Sequence, residues 1–328
     1  MSNTWRDKKR TVLKDVVPLD TPYAMFIEVS TICNAKCVYC AHSSWTGKQE
    51  NMSLYLFEKI LDDLKLFPRK IKKFDMFGFG EPLCNPNLSN MIKMAKDSGV
   101  VEKVDFITNG MLFSPQNIDK IITAGTDTIR ISLQGLDSSI YKKTCGVDIN
   151  FEKFIDNLSY LYKNKGNCKI YMKIADIALD NYDDGEKKLH KIFDDISDGV
   201  YIEHIIPLFP EINYDDIDSK INKQNRDGKE KDRILKVCNK QFFMLRVGVN
   251  GDVTSVCCDP TQDLIYGNIY QKHLTELWNT GKHKSFLKFL LEGKRFSRIA
   301  CKNCVTPNDI GSEADVLDDH VEEILKRF

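Results

Sequence analysis

Short apolar runs alternate with amphipathic stretches through the first 210 residues. MFIEVS (25–30), KKFDMFGF (72–79), KVDFITNG (103–110), DTIRISLQ (127–134), KIYMKIADI (169–177) and VYIEHIIPLF (200–209) each read as a strand. Between them, 53–66, about 87–98, 117–125 and 151–166 carry apolar residues at helical spacing. Ser53 stands where an N-cap belongs, and Gly99, Gly125 and Gly166 stand where helices stop. Helical material also separates the last two strands. This alternation predicts parallel βαβ units and an α/β fold. Six strands predict a partial (β/α)6 barrel rather than a closed eight-fold one, with functional loops at the C-terminal ends of the strands.

After residue 210 the pattern changes. EINYDDIDSKINKQNRDGKEKDR (211–233) is polar and charged and reads as a solvated connector. In FFMLRVGVNGDVTSVCC, two short strands flank Asn250-Gly251, a hairpin signal. A helix-like stretch, LTELWNTGKHKSFLKFLLEG, follows. The expected organisation is an N-terminal extension (1–24), the partial barrel (25–210), a connector (211–236) and a small C-terminal α+β domain (237–328).

Composition narrows the function classes. With 328 residues, 42% of them hydrophobic, the chain can bury a sizeable core. Lys+Arg and Asp+Glu both number 47, so no basic stripe points to nucleic acid as the main partner. There is no run of 18 apolar residues, and MSNTWRDKKR is not a secretory signal. A cytoplasmic protein without a membrane partner is expected. In that compartment the eleven cysteines are thiols or metal ligands rather than disulfides.

Three of them crowd the loop after the first strand: Cys33, Cys37 and Cys40, as C-x3-C-x2-C. Zinc sites draw four ligands, often from paired C-x-x-C units, and His42 is the only nearby fourth candidate. A four-iron cluster held by three thiolates leaves one iron open to a small molecule. With Tyr39 before the last cysteine, this loop resembles the signature of the radical S-adenosylmethionine (SAM) superfamily.

The resemblance extends along the barrel. FGFGEP resembles the family's Gly-Gly-Glu stretch that meets the SAM amino group, with Phe79 between Gly78 and Gly80 as a departure. Gly80 permits close backbone approach, and Glu81 can accept from an ammonium. Thr108 and Asn109 end the third strand, where they line the site or form a turn. Ser132 and Gln134 share one face of the fourth strand, where family members bind the SAM ribose or carboxylate. Lys173 lies in an apolar run, and either snorkels or points into the barrel to hold the SAM carboxylate. Ile205 and Pro207 resemble the segment that packs on adenine, and core packing explains them as well.

A second set combines Cys238, Cys257 or Cys258, Cys301 and Cys304, four thiols able to hold zinc or an iron–sulfur cluster. The hairpin NGDV…CC, then YGNI…LTELW, then the last C-x-x-C resemble the SPASM/twitch extension. Without a cysteine after Cys304, the short twitch form fits, with one auxiliary cluster on Cys238, Cys257, Cys301 and Cys304. Its cysteine layout is similar to that of twitch-type aminocyclitol dehydrogenases. Cys84, Cys145 and Cys168 read as buried small hydrophobes. Cys258, beside a ligand, either packs in the hairpin or faces the substrate.

The resemblance implies two [4Fe–4S] clusters, one SAM-binding and one auxiliary, together with SAM and an electron donor such as flavodoxin or ferredoxin. It implies a 5′-deoxyadenosyl radical that takes hydrogen from a substrate carbon. The expected activity is oxidation of a carbinol in a sugar, nucleotide sugar or aminocyclitol, with the auxiliary cluster as electron acceptor. Lys173, Glu203 and His204 are candidate bases. The alternative is a sugar or peptide epimerase using Cys258 as hydrogen-atom donor, or another peptide maturase. Many peptide maturases carry an extra domain ahead of the barrel, and only about 24 residues precede the first strand here, so a small substrate is favoured.

Overall fold

The computed structural model describes residues 11–43, 45, 47–207, 212–221, 234–254, 264–302, 304–308 and 312–328. All six expected barrel strands form: β1 Ala24–Ile27, β2 Ile71–Met76, β3 Val101–Thr108, β4 Thr128–Leu133, β5 Lys169–Ala175 and β6 Gly199–Glu203. They pair in parallel and in chain order. The helices start and stop where local chemistry dictates. Ser53 caps Leu54–Leu64 by accepting from the Leu56 amide. Gly99 ends Leu88–Ser98 with φ 68°, left-handed backbone that only glycine adopts without strain.

Three local features differ from the sequence reading. A helix at Ser138–Cys145, capped by Asp137 and closed by Gly146, was not anticipated. The expected stretch LTELWNTGKHKSFLKFLLEG is two helices, Leu274–Asn279 and Gly281–Leu291, because Thr280 leaves helical backbone and caps the second. The sixth strand stops at Glu203, short of the expected Phe209.

The two faces of the sheet differ sharply. Met25, Ile27, Phe74, Met76, Val104, Phe106, Ile129, Ile131, Ile170, Met172 and Ile174 are wholly buried and share one continuous core with the helices. By the period of two and the strand register, Asp75, Asp105, Arg130, Ser132, Lys173, Tyr201 and Glu203 occupy the other, inward face. A closed (β/α)8 barrel fills this space with apolar side chains. Here it holds ion pairs: Lys73 with Asp75 (3.1 Å) and Asp105 (3.2 Å), Arg130 with Asp75, and Lys173 with Glu203 (2.6 Å).

The C-terminal hairpin continues the barrel sheet. β7 (Met244–Val247) pairs in parallel with β1, and β8 (Asp252–Thr254) and β9 (Ile265–Asn268) follow antiparallel, giving one nine-stranded sheet. Asn250-Gly251 forms the expected turn, with Gly251 at φ 85°. Asp63, only 2% exposed, fastens a barrel helix to this region: its carboxylate accepts from the Leu274 amide (2.9 Å) and contacts His273 Nδ1 (2.8 Å). Among the described residues, no helix is long and apolar enough to cross a membrane.

Replacing Asp63 by Ala leaves the buried Leu274 amide without its acceptor. We expect a loss of about 1–3 kcal/mol, read as a lower denaturant midpoint for the anaerobically purified protein. An unchanged midpoint would show that this contact does not join the two regions.

Candidate active site

The C-x3-C-x2-C loop leaves the C-terminal end of β1 and is strapped to its neighbours on several sides. The amides of Lys36 and Val38 donate to the carbonyls of Cys145 (2.9 Å) and Thr144 (3.0 Å), the last residues of the unanticipated helix. The Tyr39 hydroxyl donates to Gln134 Oε1 after β4. Asn109 Nδ2, after β3, donates to Asn34 Oδ1 (2.8 Å). The FGFGEP loop completes the frame through the Glu81 amide, which donates to the Ile32 carbonyl (2.8 Å).

The loop therefore gathers its thiols by backbone constraint. Cys33, Cys37 and Cys40 are close enough for each to oppose another's ionisation. Burial pushes the Cys33 thiol up to about 12 and raises Cys40 as well. Cys37 is raised first by its hydrogen bond with the Cys145 thiol, then by burial. Bare thiolates are disfavoured here, and a cationic iron core is the counter-charge that reverses this. Among the described residues no three His, Cys, Asp or Glu side chains converge on a single ion. A four-iron cube takes one thiolate per iron, so three thiols from one loop would leave its fourth iron open.

Glu81 is 3% exposed and more committed than its sequence position suggests. Oε1 accepts from the Thr108 hydroxyl (2.6 Å) and the Leu83 amide (3.0 Å), and Oε2 accepts from the Asn109 amide (2.7 Å). Burial outweighs these bonds and lifts its pKa to about 6. The close approach expected at Gly80 is to the cysteine loop itself: a Cβ there would sit 2.4 Å from the Ser30 carbonyl oxygen. At Gly78 a Cβ would meet Glu28 Oε1 at 2.3 Å. Phe79 donates its amide to that same oxygen (2.8 Å).

Ser132 and Lys173 are register partners on the inward face, so Lys173 points into the barrel and pairs with Glu203. His204 lies on the opposite alternation, with Nδ1 2.9 Å from Asp176, whose other oxygen accepts the Ile205 amide (3.2 Å). The sequence reading missed Asp176, Asn34, Trp45, Glu28 and Arg246. The last two form an ion pair (2.7 Å) at the β1–β7 junction, and nothing local announces a partner that arrives from the far end of the chain.

Two cavities adjoin this frame. One, of about 250 Å³, lies between the cysteine loop and the hairpin and is lined by Glu28, Trp45, Phe79, Arg246, Asp252 and Leu264 among others. The smaller is lined by Cys238, Cys301 and Cys304 with Arg295, and Leu264 borders it too. Burial raises Cys238 and pushes Cys301 up to about 12. Three of the four expected auxiliary thiols thus face one space, a donor set that fits a cluster. Cys257 and Cys258 lie outside the described residues.

Residues 27–186 match the model of the Radical SAM superfamily, and residues 238–305 match that of the SPASM iron–sulfur cluster-binding domain. The chain belongs to the radical SAM superfamily. These two domains imply SAM, a SAM-binding cluster and an auxiliary cluster. The chain is 25% identical, over 57% of its length, to the tungsten-containing aldehyde ferredoxin oxidoreductase cofactor-modifying protein of Pyrococcus furiosus, and spans about half of that protein (52%). It is 23% identical over 92% of its length to the S-adenosyl-L-methionine-dependent 2-deoxy-scyllo-inosamine dehydrogenase of Niallia circulans, covering 100% of it. The structure of BtrN in complex with AdoMet and 2-DOIA superposes with a TM-score of 0.54 at 20% identity, covering 86% of this chain and 92% of that one. This likeness establishes a shared fold.

Two measurements test the assignment. Anaerobically reconstituted protein should hold about eight irons, falling to about four when Cys33, Cys37 and Cys40 become Ala. Four irons plus a tightly bound zinc in the wild type would refute the auxiliary site. Glu81→Ala should weaken SAM binding roughly tenfold or more, since a bond to a charged group contributes about 1.5–3 kcal/mol. Anaerobic calorimetry showing unchanged affinity with both clusters present would exclude Glu81 from the SAM site.

Proposed function

We propose that the chain is a radical SAM dehydrogenase that oxidises a carbinol carbon of a small polyol, such as a sugar, nucleotide sugar or aminocyclitol. The observation that carries this reading is the cavity of about 250 Å³ that shares Leu264 with the cysteine-lined cavity. Drug-sized ligand pockets span about 300–1,000 Å³. The smaller space suits one sugar-like ring better than a folded peptide.

Its lining is consistent with such a ring. Trp45 and Phe79 lie parallel, their ring planes 2° apart, and offer apolar faces for the C–H side of a ring. Glu28, Lys48, Glu50, Arg246 and Asp252 bring both signs of charge for hydroxyl or amino groups. When bound, SAM and its cluster would supply the radical chemistry for hydrogen abstraction, and the auxiliary cluster, held by Cys238, Cys301 and Cys304, would supply an acceptor for the remaining electron. The chain's own residues bind SAM and handle the hydroxyl proton. Around SAM we assign Tyr39, Gly78, Phe79, Gly80, Glu81, Asn109, Ser132, Gln134, Lys173 and Ile205. Of the candidate bases, Glu203 and Lys173 pair with each other on the inward face and stand outside the lining of this cavity. His204 is turned to Asp176. Flavodoxin or ferredoxin is the class of one-electron donor that would start each turnover.

Anaerobic turnover with carbon-deuterated polyols tests the reading. The expected outcome is deuterium in 5′-deoxyadenosine and a ketone product, with Cys258→Ala still forming the ketone. Solvent deuterium at an inverted carbon, lost in Cys258→Ala while 5′-deoxyadenosine still forms, would replace the dehydrogenase by an epimerase. Turnover of peptides alone would overturn the small-substrate assignment.

A further inference from the structure

We propose that Arg295 tunes the auxiliary cluster, raising its reduction potential by holding a buried positive charge beside the thiolates of Cys238, Cys301 and Cys304. The inference rests on the auxiliary-cluster reading above. Arg295 occupies the short turn Lys294–Ser297 that precedes the last C-x-x-C. It is 1% exposed and is the largest of the fully buried side chains. Nη1 donates to the carbonyls of Cys304 (2.7 Å) and Cys301 (3.4 Å), and Nη2 donates to that of Leu235 (2.8 Å). The ring of Phe296 lies 4.2 Å from the guanidinium carbon. Nε is buried without a hydrogen-bond partner.

All of these partners are neutral. Among the described residues no carboxylate pairs with Arg295, unlike the guanidinium of Arg130, which meets Asp75, or that of Arg246, which meets Glu28. A guanidinium does not shed its proton in a protein, and burying it without a counter-charge is heavily disfavoured. The counter-charge is therefore sought in what the Arg295-lined cavity holds. Cys238, Cys301 and Cys304 line the same small space. A four-iron cluster on four thiolates is net negative and gains one further negative charge on reduction. A fixed cation nearby stabilises the reduced form more than the oxidised one, and so raises the potential. An acceptor raised in this way takes an electron more readily from a substrate radical. The three carbonyl bonds also hold the C-x-x-C turn, so charge and anchoring must be separated by experiment.

The Cys33/Cys37/Cys40→Ala protein, which isolates the auxiliary cluster, serves as parent for a redox titration followed by electron paramagnetic resonance, with iron counted in each variant. Arg295→Met and Arg295→Gln should keep the parent's iron and show a lower midpoint potential, whereas Arg295→Lys should stay near the parent. A parent-like midpoint in the iron-loaded neutral variants would overturn the proposal and leave Arg295 as an anchor. Where neither neutral variant takes up iron, Arg295→Lys decides. Iron uptake with a parent-like midpoint upholds the charge, and loss of iron in that variant too overturns it. A parent that binds no iron at all would overturn the auxiliary-cluster reading as well, a result distinct from the others.

Discussion

The pairing of one short strand on both its edges organises this molecule. β1 has only four residues, Ala24–Ile27, yet it is hydrogen-bonded in parallel to β2 on one side and to β7 on the other. Everything chemical begins at its C-terminal end. Glu28 follows at once, paired with Arg246 from β7, and the cysteine loop comes next. Because β7 is held in register with β1, the hairpin and the cavity of Cys238, Cys301 and Cys304 are fixed relative to the barrel mouth. Main-chain ladders are cooperative and nearly inextensible, so they set this spacing more firmly than side-chain contacts on a flexible connector would.

The inward face is the second constraint. Buried charges are tolerated only when paired, and breaking one pair leaves an uncompensated ion. Lys73, Asp75, Asp105 and Arg130 form one such group, and Lys173 with Glu203 forms another. These pairs need not add net stability, but they keep the lumen polar while the outward face supplies the apolar core. SAM is a polar ligand, and a lumen packed with Leu and Val could not receive it.

The cysteine loop has little regular structure of its own and takes its shape from its surroundings. Bonds to the helix end at Thr144–Cys145 and to Gln134 come from the connection after β4, and the bond to Asn109 comes from the connection after β3. Glu81 ties the turn after β3 to the FGFGEP loop, which in turn touches the cysteine-loop backbone at Gly80. The thiols are thus positioned by the fold around them, at the expense of burying groups that would rather remain in water.

The order of the barrel strands, most helix ends and the place of the cysteine loop after the first strand were legible in the sequence. Each depends on neighbours within a few residues: periodicity, caps such as Ser53, stops such as Gly99, and the C-x3-C-x2-C spacing. The helix Ser138–Cys145 and the break at Thr280 were missed because their signals are short and their apolar faces weak. Which way Lys173 points, that Glu81 is spent largely on the protein's own amides, and that Glu28 meets Arg246 were decided only by tertiary structure. These contacts join residues 27 to 218 positions apart, and only strand register and loop packing bring such residues together.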